Sequence, residues 1–221
     1  MHGRRGVFAV TALACALFFT LLALVVGTTT LLQHLDRVAT NRLDQFAAAH
    51  PAIAHSASTV SDIGAPLVFE VLAGIGCVVA LVTRRFAQFL AIVGVLAADL
   101  ALGHFLKILV DRPRPVASQA LAYATGPSFP SSHALSSSAI IGVALVVIAP
   151  LLRRPARVAS IVVGSLVVVA IGLSRVLLGV HYVSDVVGGW LLGATIVLTA
   201  AALLSDEPAT PRESGRRELN R

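Results

Sequence analysis

Residues 86–115 read FAQFLAIVGVLAADLALGHFLKILVDRPRP, and the change of character within this stretch decides the fold. From Phe86 to Leu106 almost every residue is apolar, and the block is about as long as the ~20 residues that an α-helix needs to cross a bilayer. From Lys107 onward, charged residues follow closely on one another. The stretch therefore predicts a transmembrane helix with a basic segment at one end.

Five further long apolar blocks have the same character. They run over Gly6–Leu32, Ile63–Thr83, Ala134–Leu152, Val158–Ser174 and Val186–Ser205. Hydrophobic residues make up 57% of the chain and charged residues 13%, far from the averages of water-soluble domains. The sequence predicts an all-α integral membrane bundle of six transmembrane helices, which forms one domain over residues 1–205.

The positive net charge does not point to nucleic acid. The charge of +6 comes mainly from basic residues in short clusters between the apolar blocks, which is typical of membrane topology. Cys15 and Cys77 lie inside apolar blocks without the spacing of metal ligands, so neither a zinc site nor a disulfide framework is expected. The charged tail, residues 206–221, is expected to be disordered.

The basic residues also predict the orientation, because Lys and Arg in short loops are retained on the cytoplasmic side. Six spans bring most of the 17 basic residues to one face, namely Arg4, Arg5, Arg84, Arg85, Arg153, Arg154, Arg157, Arg212, Arg216, Arg217 and Arg221. The other face receives Arg37, Arg42, Lys107, Arg112, Arg114 and Arg175. Both termini are therefore expected in the cytoplasm.

The longest connection between predicted spans covers residues 33–62. Within it Leu35, Ala39, Leu43 and Phe46 recur at helical spacing among charged residues, which is compatible with an interfacial helix. A solvated loop is the alternative that the pattern leaves open.

Polar residues concentrate in three segments at the outer ends of predicted spans three to six. They are Lys107–Pro115, Ser128–His133 and Ser174–Asp185. A six-span topology places all three at the same membrane face, so residues far apart in the chain can meet in one pocket. The clustering of cations in these segments predicts an anion site.

The residue types favour a phosphoryl group as that anion. Lys107, Arg114 and Arg175 supply charge-assisted hydrogen bonds, and each guanidinium fits two adjacent oxygens. Ser131 and Ser132 come just before the fourth span, where backbone N–H groups and the helix dipole favour an anion. These five residues are expected to form a phosphate cradle.

Two histidines are expected to divide the catalytic roles. His181 and Asp185 are four positions apart and share a face if the sixth helix begins near His181. The carboxylate would then fix the imidazole tautomer and leave the other nitrogen to attack phosphorus. His133 is the expected proton donor to the leaving group. This pattern predicts a phosphohistidine intermediate on His181.

The motifs K-x6-RP from Lys107, PSxH ending at His133 and SR-x5-H-x3-D from Ser174 resemble, in order and spacing, the signature of the type 2 phosphatidic acid phosphatase family. The resemblance implies a six-span phosphatase that needs no metal or other cofactor. It implies phosphate binding by Lys107, Arg114, Ser131, His133 and Arg175, and catalysis by His133, His181 and Asp185. The implied substrate is a membrane lipid phosphate or pyrophosphate, such as a polyprenyl pyrophosphate or a glycerolipid phosphate, cleaved at the extracytoplasmic face.

One position departs from the family pattern, which usually reads Pro-Ser-Gly-His in the second motif. This chain has Ser132 in the glycine position. Serine keeps the backbone N–H, but its Cβ would conflict with a positive φ at this point. Two other functions stay open on the same scaffold: a phosphotransferase, and a non-catalytic lipid-binding or transport protein.

Overall fold

The computed structural model describes residues 2–116 and 121–205, and within these ranges the chain is helical without any β-strand. The predicted tail, 206–221, lies outside the described residues. The α-helices in these ranges are α1 His2–Val26, α2 Thr30–Ala49, α3 Pro51–Ile63, α4 Pro66–Val82, α5 Phe86–Val110, α6 Ser132–Ile148, α7 Arg154–Leu177 and α8 Val183–Leu204. A short 3-10 turn, Ala149–Leu151, extends α6.

Six described segments are long and apolar enough to cross a membrane, as the sequence predicts. They are α1, α3 together with α4, α5, α6 with its 3-10 turn, α7 and α8. Large apolar side chains such as Leu17, Leu21, Val163 and Leu166 are exposed on their outer faces. Water would disfavour so much exposed apolar surface, whereas the hydrocarbon of a bilayer suits it.

Two predicted span boundaries are wrong. The first helix ends at Val26 rather than Leu32, because a turn at Gly27 separates it from α2. The second span begins at Pro51 rather than Ile63. Proline suits the first turn of a helix, where its missing N–H is not needed, so α3 starts within the predicted loop.

The helices α6 and α8 form the centre of the bundle, and α8 is the most buried of the six spans. Glycines on α8 allow the two backbones to approach closely. A Cβ added to Gly189 would lie 2.7 Å from the carbonyl oxygen of Ser131 and 2.8 Å from Cβ of Ala134. Small residues at helix contacts are a common means of packing in membranes. This contact sets the start of α8 beside the start of α6.

The helix α2 lies in the connection for which the sequence left a helix and a solvated loop open, so the loop alternative is wrong. Its polar face is turned inward: Asp36, Thr40 and Asp44 are buried, whereas Leu35 and Phe46 are exposed. The helix packs against α7 and α8 through this inward face. Exposed apolar residues around a polar contact are the opposite of the arrangement expected in a water-soluble protein.

Candidate active site

The three polar segments meet at one end of the bundle, called the site end, where α5 and α7 end and α6 and α8 begin. Backbone hydrogen bonds tie the segments together. The N–H of Ser128 donates to the carbonyl oxygen of Arg112 at 2.8 Å, and that of Ser131 donates to the carbonyl oxygen of Asp185 at 3.0 Å. The predicted convergence of distant residues therefore exists in the fold.

His181 and Asp185 form a buried pair. The imidazole Nδ1 lies 3.4 Å from Oδ2 of Asp185, and that oxygen also accepts the backbone N–H of Tyr182 at 2.9 Å. The helix α8 begins at Val183, so His181 precedes the helix instead of lying on its face. The pair forms because Asp185, in the first turn, reaches back over the helix start as in a capping box.

The environment keeps the His181 imidazole neutral. Burial above all, together with the charges of Arg114 and Arg175, lowers the pKa of His181 to about 4, although Asp185 opposes this change. The residue is 2% exposed. Its Nε2 lies 3.1 Å from Nη1 of Arg114, which has no acceptor capacity. We therefore assign the proton to Nδ1, facing Asp185, and the lone pair to Nε2.

Arg114 connects two loops at the mouth of the site. Its guanidinium donates to the carbonyl oxygens of Gly126 at 2.9 Å, Val180 at 2.9 Å and Thr125 at 3.1 Å, besides its contact with His181. Burial lowers the pKa of Arg114, and Asp185 partly offsets this change. The group holds its positive charge at neutral pH because the ordinary pKa of arginine is so high.

Two buried polar atoms at the site lack a hydrogen-bond partner among the described residues. They are Nε of Arg175 and Oγ of Ser131. Arg175 is 7% exposed, and its Nη1 donates to Oγ of Ser61 on α3. Buried polar groups in proteins are normally paired, so an unpaired donor on a guanidinium and an unpaired hydroxyl suit the oxygens of an anionic ligand.

Lys107 and His133 complete the group of cations and histidines. Lys107 lies in the last turn of α5, and its Nζ donates to the carbonyl oxygen of Pro127 at 3.0 Å. His133 is half-buried in the first turn of α6, within electrostatic range of Arg175, His181, Arg114 and Lys107. The structure therefore brings the four predicted residues together with His181 at the site end, namely Lys107, Arg114, His133 and Arg175.

The two serines of the second motif differ from expectation. The backbone N–H of Ser131 holds the start of α8, so it does not face the cradle, although the Ser131 hydroxyl is unpaired. Ser132 is the first residue of α6 and has helical backbone geometry. A positive φ is therefore not required at this position, and serine replaces glycine there without backbone strain.

Sequence reasoning missed a second layer of buried polar residues behind His181. Arg112 contacts Asp185, Ser184 and Asp36 through its guanidinium, and the ring of Tyr182 lies over its Cζ at 4.2 Å from ring centre to carbon. Arg112 lies inside the K-x6-RP motif, which could have drawn attention to it. No spacing in the sequence links Asp36 to the motifs.

Within the described residues, no group of three or more His, Cys, Asp or Glu side chains is arranged to hold a metal ion. What the site does offer is fixed positive charge around a neutral imidazole. Such an arrangement suits charge that develops on phosphoryl oxygens during transfer.

This chain is similar in sequence to curated phosphatases. Phosphatidylglycerophosphatase B of Bacillus subtilis (strain 168) is 36% identical over 102 residues, which cover 45% of this chain and 49% of the relative. Decaprenylphosphoryl-5-phosphoribose phosphatase of Mycobacterium tuberculosis (strain ATCC 25618 / H37Rv) is 37% identical over 129 residues, which cover 57% of this chain and 66% of the relative. The chain spans about half to two thirds of the length of these curated relatives.

The crystal structure of a transmembrane PAP2 type phosphatidylglycerolphosphate phosphatase from Bacillus subtilis has the same fold. The TM-score is 0.82 at 24% sequence identity, over 90% of this chain and 98% of that chain. The fold is thus that of a multi-pass membrane protein. A sequence model of the PAP2 superfamily matches residues 88–208, a range that contains all three motifs and more than half of the chain. The chain belongs to the PAP2 superfamily, the type 2 phosphatidic acid phosphatases.

Proposed function

We propose that this chain is a lipid phosphatase that hydrolyses a lipid phosphate or pyrophosphate through a phosphohistidine on His181. Residues 1–205 form the phosphatase domain in this proposal. The observation that carries it is the state of His181: Nδ1 faces a buried carboxylate, and Nε2 faces the Arg114 guanidinium. A neutral imidazole held in one tautomer beside fixed cations is prepared for attack on an anionic phosphoryl group.

In the first step, Nε2 of His181 forms a bond to phosphorus while the bond from phosphorus to the leaving oxygen breaks. The imidazole becomes positively charged, and Asp185 stabilises that charge through Nδ1–H. His133 donates a proton to the leaving oxygen. The products are a phosphohistidine and the dephosphorylated lipid.

In the second step, water attacks the phosphohistidine. His133, left without its proton by the first step, accepts one from the water, and the bond from phosphorus to Nε2 breaks. Inorganic phosphate leaves, and His181 returns to the neutral state. The proton balance closes because the proton that His133 gives up in the first step returns in the second.

The cradle acts on the charge of the three oxygens that do not react. Arg175 and Ser131 offer unpaired donors, and Lys107 adds a positive charge. Ser132 is the first residue of α6, so its backbone N–H lies at the positive end of the helix dipole. Arg114 now donates to neutral carbonyl oxygens and would exchange some of them for phosphoryl oxygens. That exchange is favourable because hydrogen bonds to charged acceptors are about twice as strong as those to neutral ones.

The distribution of basic residues supports an extracytoplasmic site with cytoplasmic termini. Arg84, Arg85, Arg153 and Arg154 are exposed at the end opposite to the site. Positive charge in short loops is retained in the cytoplasm. To test this, Cys15 and Cys77 are replaced by alanine, and Tyr123→Cys at the site end is compared with Arg84→Cys. A membrane-impermeant maleimide should label the first variant in intact cells, and the reverse pattern would contradict the orientation.

The relatives suggest where to look for the substrate. Both of their names describe lipids whose polar head carries a phosphate, one built on glycerol and one on ribose. The proposed substrate is accordingly a phosphate carried by a glycerolipid or polyprenyl lipid, with polyprenyl pyrophosphate included. A lipid anchored in the bilayer would reach the site end from the side and present its phosphate to the cradle.

The proposal is tested by phosphate release from purified protein in detergent. The panel contains phosphatidylglycerophosphate, phosphatidic acid, decaprenylphosphoryl-5-phosphoribose and undecaprenyl pyrophosphate. We expect release from at least one of them, and a loss of at least about 10³-fold in His181→Ala. A rapid acid-free quench with labelled substrate should trap an acid-labile phosphoprotein in the wild type and none in the variant.

The exposed His55 supplies a matched control, because His55→Ala should keep the wild-type rate. Full activity in a folded His181→Ala variant would contradict covalent catalysis through this residue. A phosphorylated acceptor lipid without release of inorganic phosphate would instead identify a phosphotransferase. Binding of the lipids without turnover would identify a non-catalytic protein.

A further inference from the structure

A buried charge network lies behind the proposed nucleophile and takes no part in the steps above. Nη1 of Arg112 donates to Oδ1 of Asp185 at 2.6 Å, and Nη2 donates to Oδ2 of Asp36 at 2.8 Å. We propose that Arg112 and Asp36 are positioning residues for His181. Because Asp36 lies on α2, this helix would contribute to the active site. The inference rests on the function proposed above.

The first argument is the division of the two oxygens of Asp185. Oδ1 accepts from Arg112, while Oδ2 accepts from the backbone N–H of Tyr182 and faces Nδ1 of His181. A carboxylate held at both oxygens cannot rotate away from the imidazole. Because Asp185 is fully buried, loss of Arg112 would leave Oδ1 without a partner and without water to replace it.

The second argument is charge balance. Arg112 is 5% exposed and lies between two carboxylates, so the three groups together carry one negative charge. Arg112 alone would neutralise Asp185, and Asp36 restores a net negative charge behind His181 that favours a positive imidazole. Without Asp36, the full charge of Arg112 would act on Asp185 and weaken the attraction of Asp185 for the His181 proton.

The third argument is that the contacts around Asp36 lock α2 to the start of α8. Asp36 accepts the backbone N–H of Ser184 at 3.1 Å and also its hydroxyl, and Ser184 in turn accepts from Arg112 at 2.7 Å. The ring of Tyr182 covers the guanidinium as a cation–π contact. Three segments that are far apart in the chain, α2, the loop after α5 and the start of α8, therefore hold one another through charged hydrogen bonds.

The effect reaches His181 through Asp185 rather than by direct contact. The charged and titratable groups facing His181 are Asp185 from α8, Arg114 from the loop after α5, Arg175 from α7 and His133 from α6. Arg112 and Asp36 stand behind Asp185. Their substitution should change how strongly Asp185 supports a positive imidazole, and this change is visible in the pH dependence of kcat.

Two single variants are expected to shift this pH dependence in opposite directions. The acid limb is the fall of kcat at low pH, where the His181 imidazole takes up a proton. In Asp36→Asn a negative charge is lost, so the imidazolium is less stable and the acid limb moves to lower pH. In Arg112→Gln a positive charge is lost, so the limb moves to higher pH. We expect shifts of about one pH unit, since a charge near a titrating group has an effect of this order. In each variant kcat should fall roughly 10–100-fold because Asp185 is held less firmly.

The double variant Asp36→Asn/Arg112→Gln removes both charges together. Its acid limb should return to within about 0.3 units of the wild type, because the two opposite charge effects cancel when they add. Arg42→Gln, an exposed arginine on the same helix, is the matched control and should leave both kcat and the limb unchanged. The rates are measured with dioctanoyl phosphatidic acid in detergent between about pH 2 and pH 8, with unfolding followed by circular dichroism at each pH, so that the range includes an acid limb near pH 3.

A second readout keeps this test separate from that of the enzyme activity. Nitrogen NMR of ¹⁵N-histidine protein reports the His181 tautomer and its titration whether or not the protein turns over, with His181→Ala for assignment. We expect a single Nδ1–H tautomer in the wild type and the same opposite shifts in the two single variants. The inference would be overturned if the acid limb of both single variants matched that of the wild type. It would also be overturned if both variants lost rate equally without opposite shifts of the limb. Neither result would contradict the proposed phosphatase activity. A wild-type protein without activity would instead count against the proposed function, and the NMR titration would still decide on the positioning pair.

Discussion

The arginines at the two ends of the bundle differ in how deeply their side chains are buried. Arg153 and Arg154, at the end opposite to the site, are exposed, whereas Arg112 and Arg175 at the site end are 5% and 7% exposed. Exposed arginines near a membrane extend into water at little cost and report the topology. Buried ones need specific partners, because an ion removed from water is otherwise strongly unfavourable.

The comparison teaches that burial with fixed partners, rather than residue type, distinguishes the site from the rest of the basic residues. Arg175 donates to Ser61 and keeps Nε unpaired, whereas Arg157 at the other end is only half-buried and donates to the carbonyl oxygens that end α6 and its 3-10 turn. Both make hydrogen bonds. Only the first stands beside a neutral imidazole within electrostatic range.

The largest effect expected from this contrast is on turnover. Arg175→Ala should lower kcat by about 10²–10³-fold, because one well-placed donor to the developing charge is lost. Arg153→Ala should leave kcat within twofold. Phosphate release from purified variants with equal melting temperatures measures both. Equal rates for the two variants would show that burial does not mark the catalytic arginines.

The next effect concerns pH and follows from the buried imidazole at the site end. With the pKa of His181 near 4 in the free protein, the nucleophile is neutral above about pH 5, so kcat/KM should not fall with decreasing pH until that point. Below about pH 4 each further unit should cost about tenfold as the imidazole takes up a proton. Single-turnover rates at substrate concentrations well below KM, corrected for unfolding by circular dichroism at each pH, check this. An acid limb near pH 6.5 would mean that the imidazole is solvated as in a free peptide.

The smallest effect concerns helix packing and is measured as a change in the free energy of unfolding. Gly189→Ala at the site end should destabilise the protein by about 1–3 kcal/mol, because the added Cβ would press on Ser131 and Ala134. Gly94→Ala on α5 meets no atom within 4 Å and should be neutral or stabilising by up to about 1 kcal/mol. Thermal unfolding in detergent measures both. A larger loss in Gly94→Ala than in Gly189→Ala would contradict the described contact of α6 with α8.

Much of the fold was accessible from the sequence because each span is long, apolar and bounded by charges. The exceptions are informative. Pro51 starts a helix inside what the hydropathy pattern marks as a loop, and the helical spacing of Leu35 and Phe46 does not show that the opposite, polar face of α2 packs inward. Both depend on what the neighbouring helices present, which no local pattern contains.

The residues of the candidate site also fall into those that local spacing could predict and those that depend on the packing of distant helices. The residues that contact each other over short distances, His181 with Asp185 and the motif cations around them, have fixed spacings and were predictable as a group. Arg112 and Asp36 were not, since their partnership depends on the docking of a helix far away in the chain. Ser132 was unclear for another reason: whether serine is acceptable depends on φ, which only the structure gives.

The contacts of Asp36 with Arg112 and of Ser61 with Arg175 have a consequence for protein engineering. Both acceptors lie in the N-terminal third, before the residues that the superfamily match covers, while both guanidiniums lie within them. A hybrid that joins residues 88–205 to the N-terminal third of a relative would keep every motif and still give its two buried arginines foreign neighbours. Productive crossovers are therefore those in which Asp36 and Ser61 travel with the catalytic half.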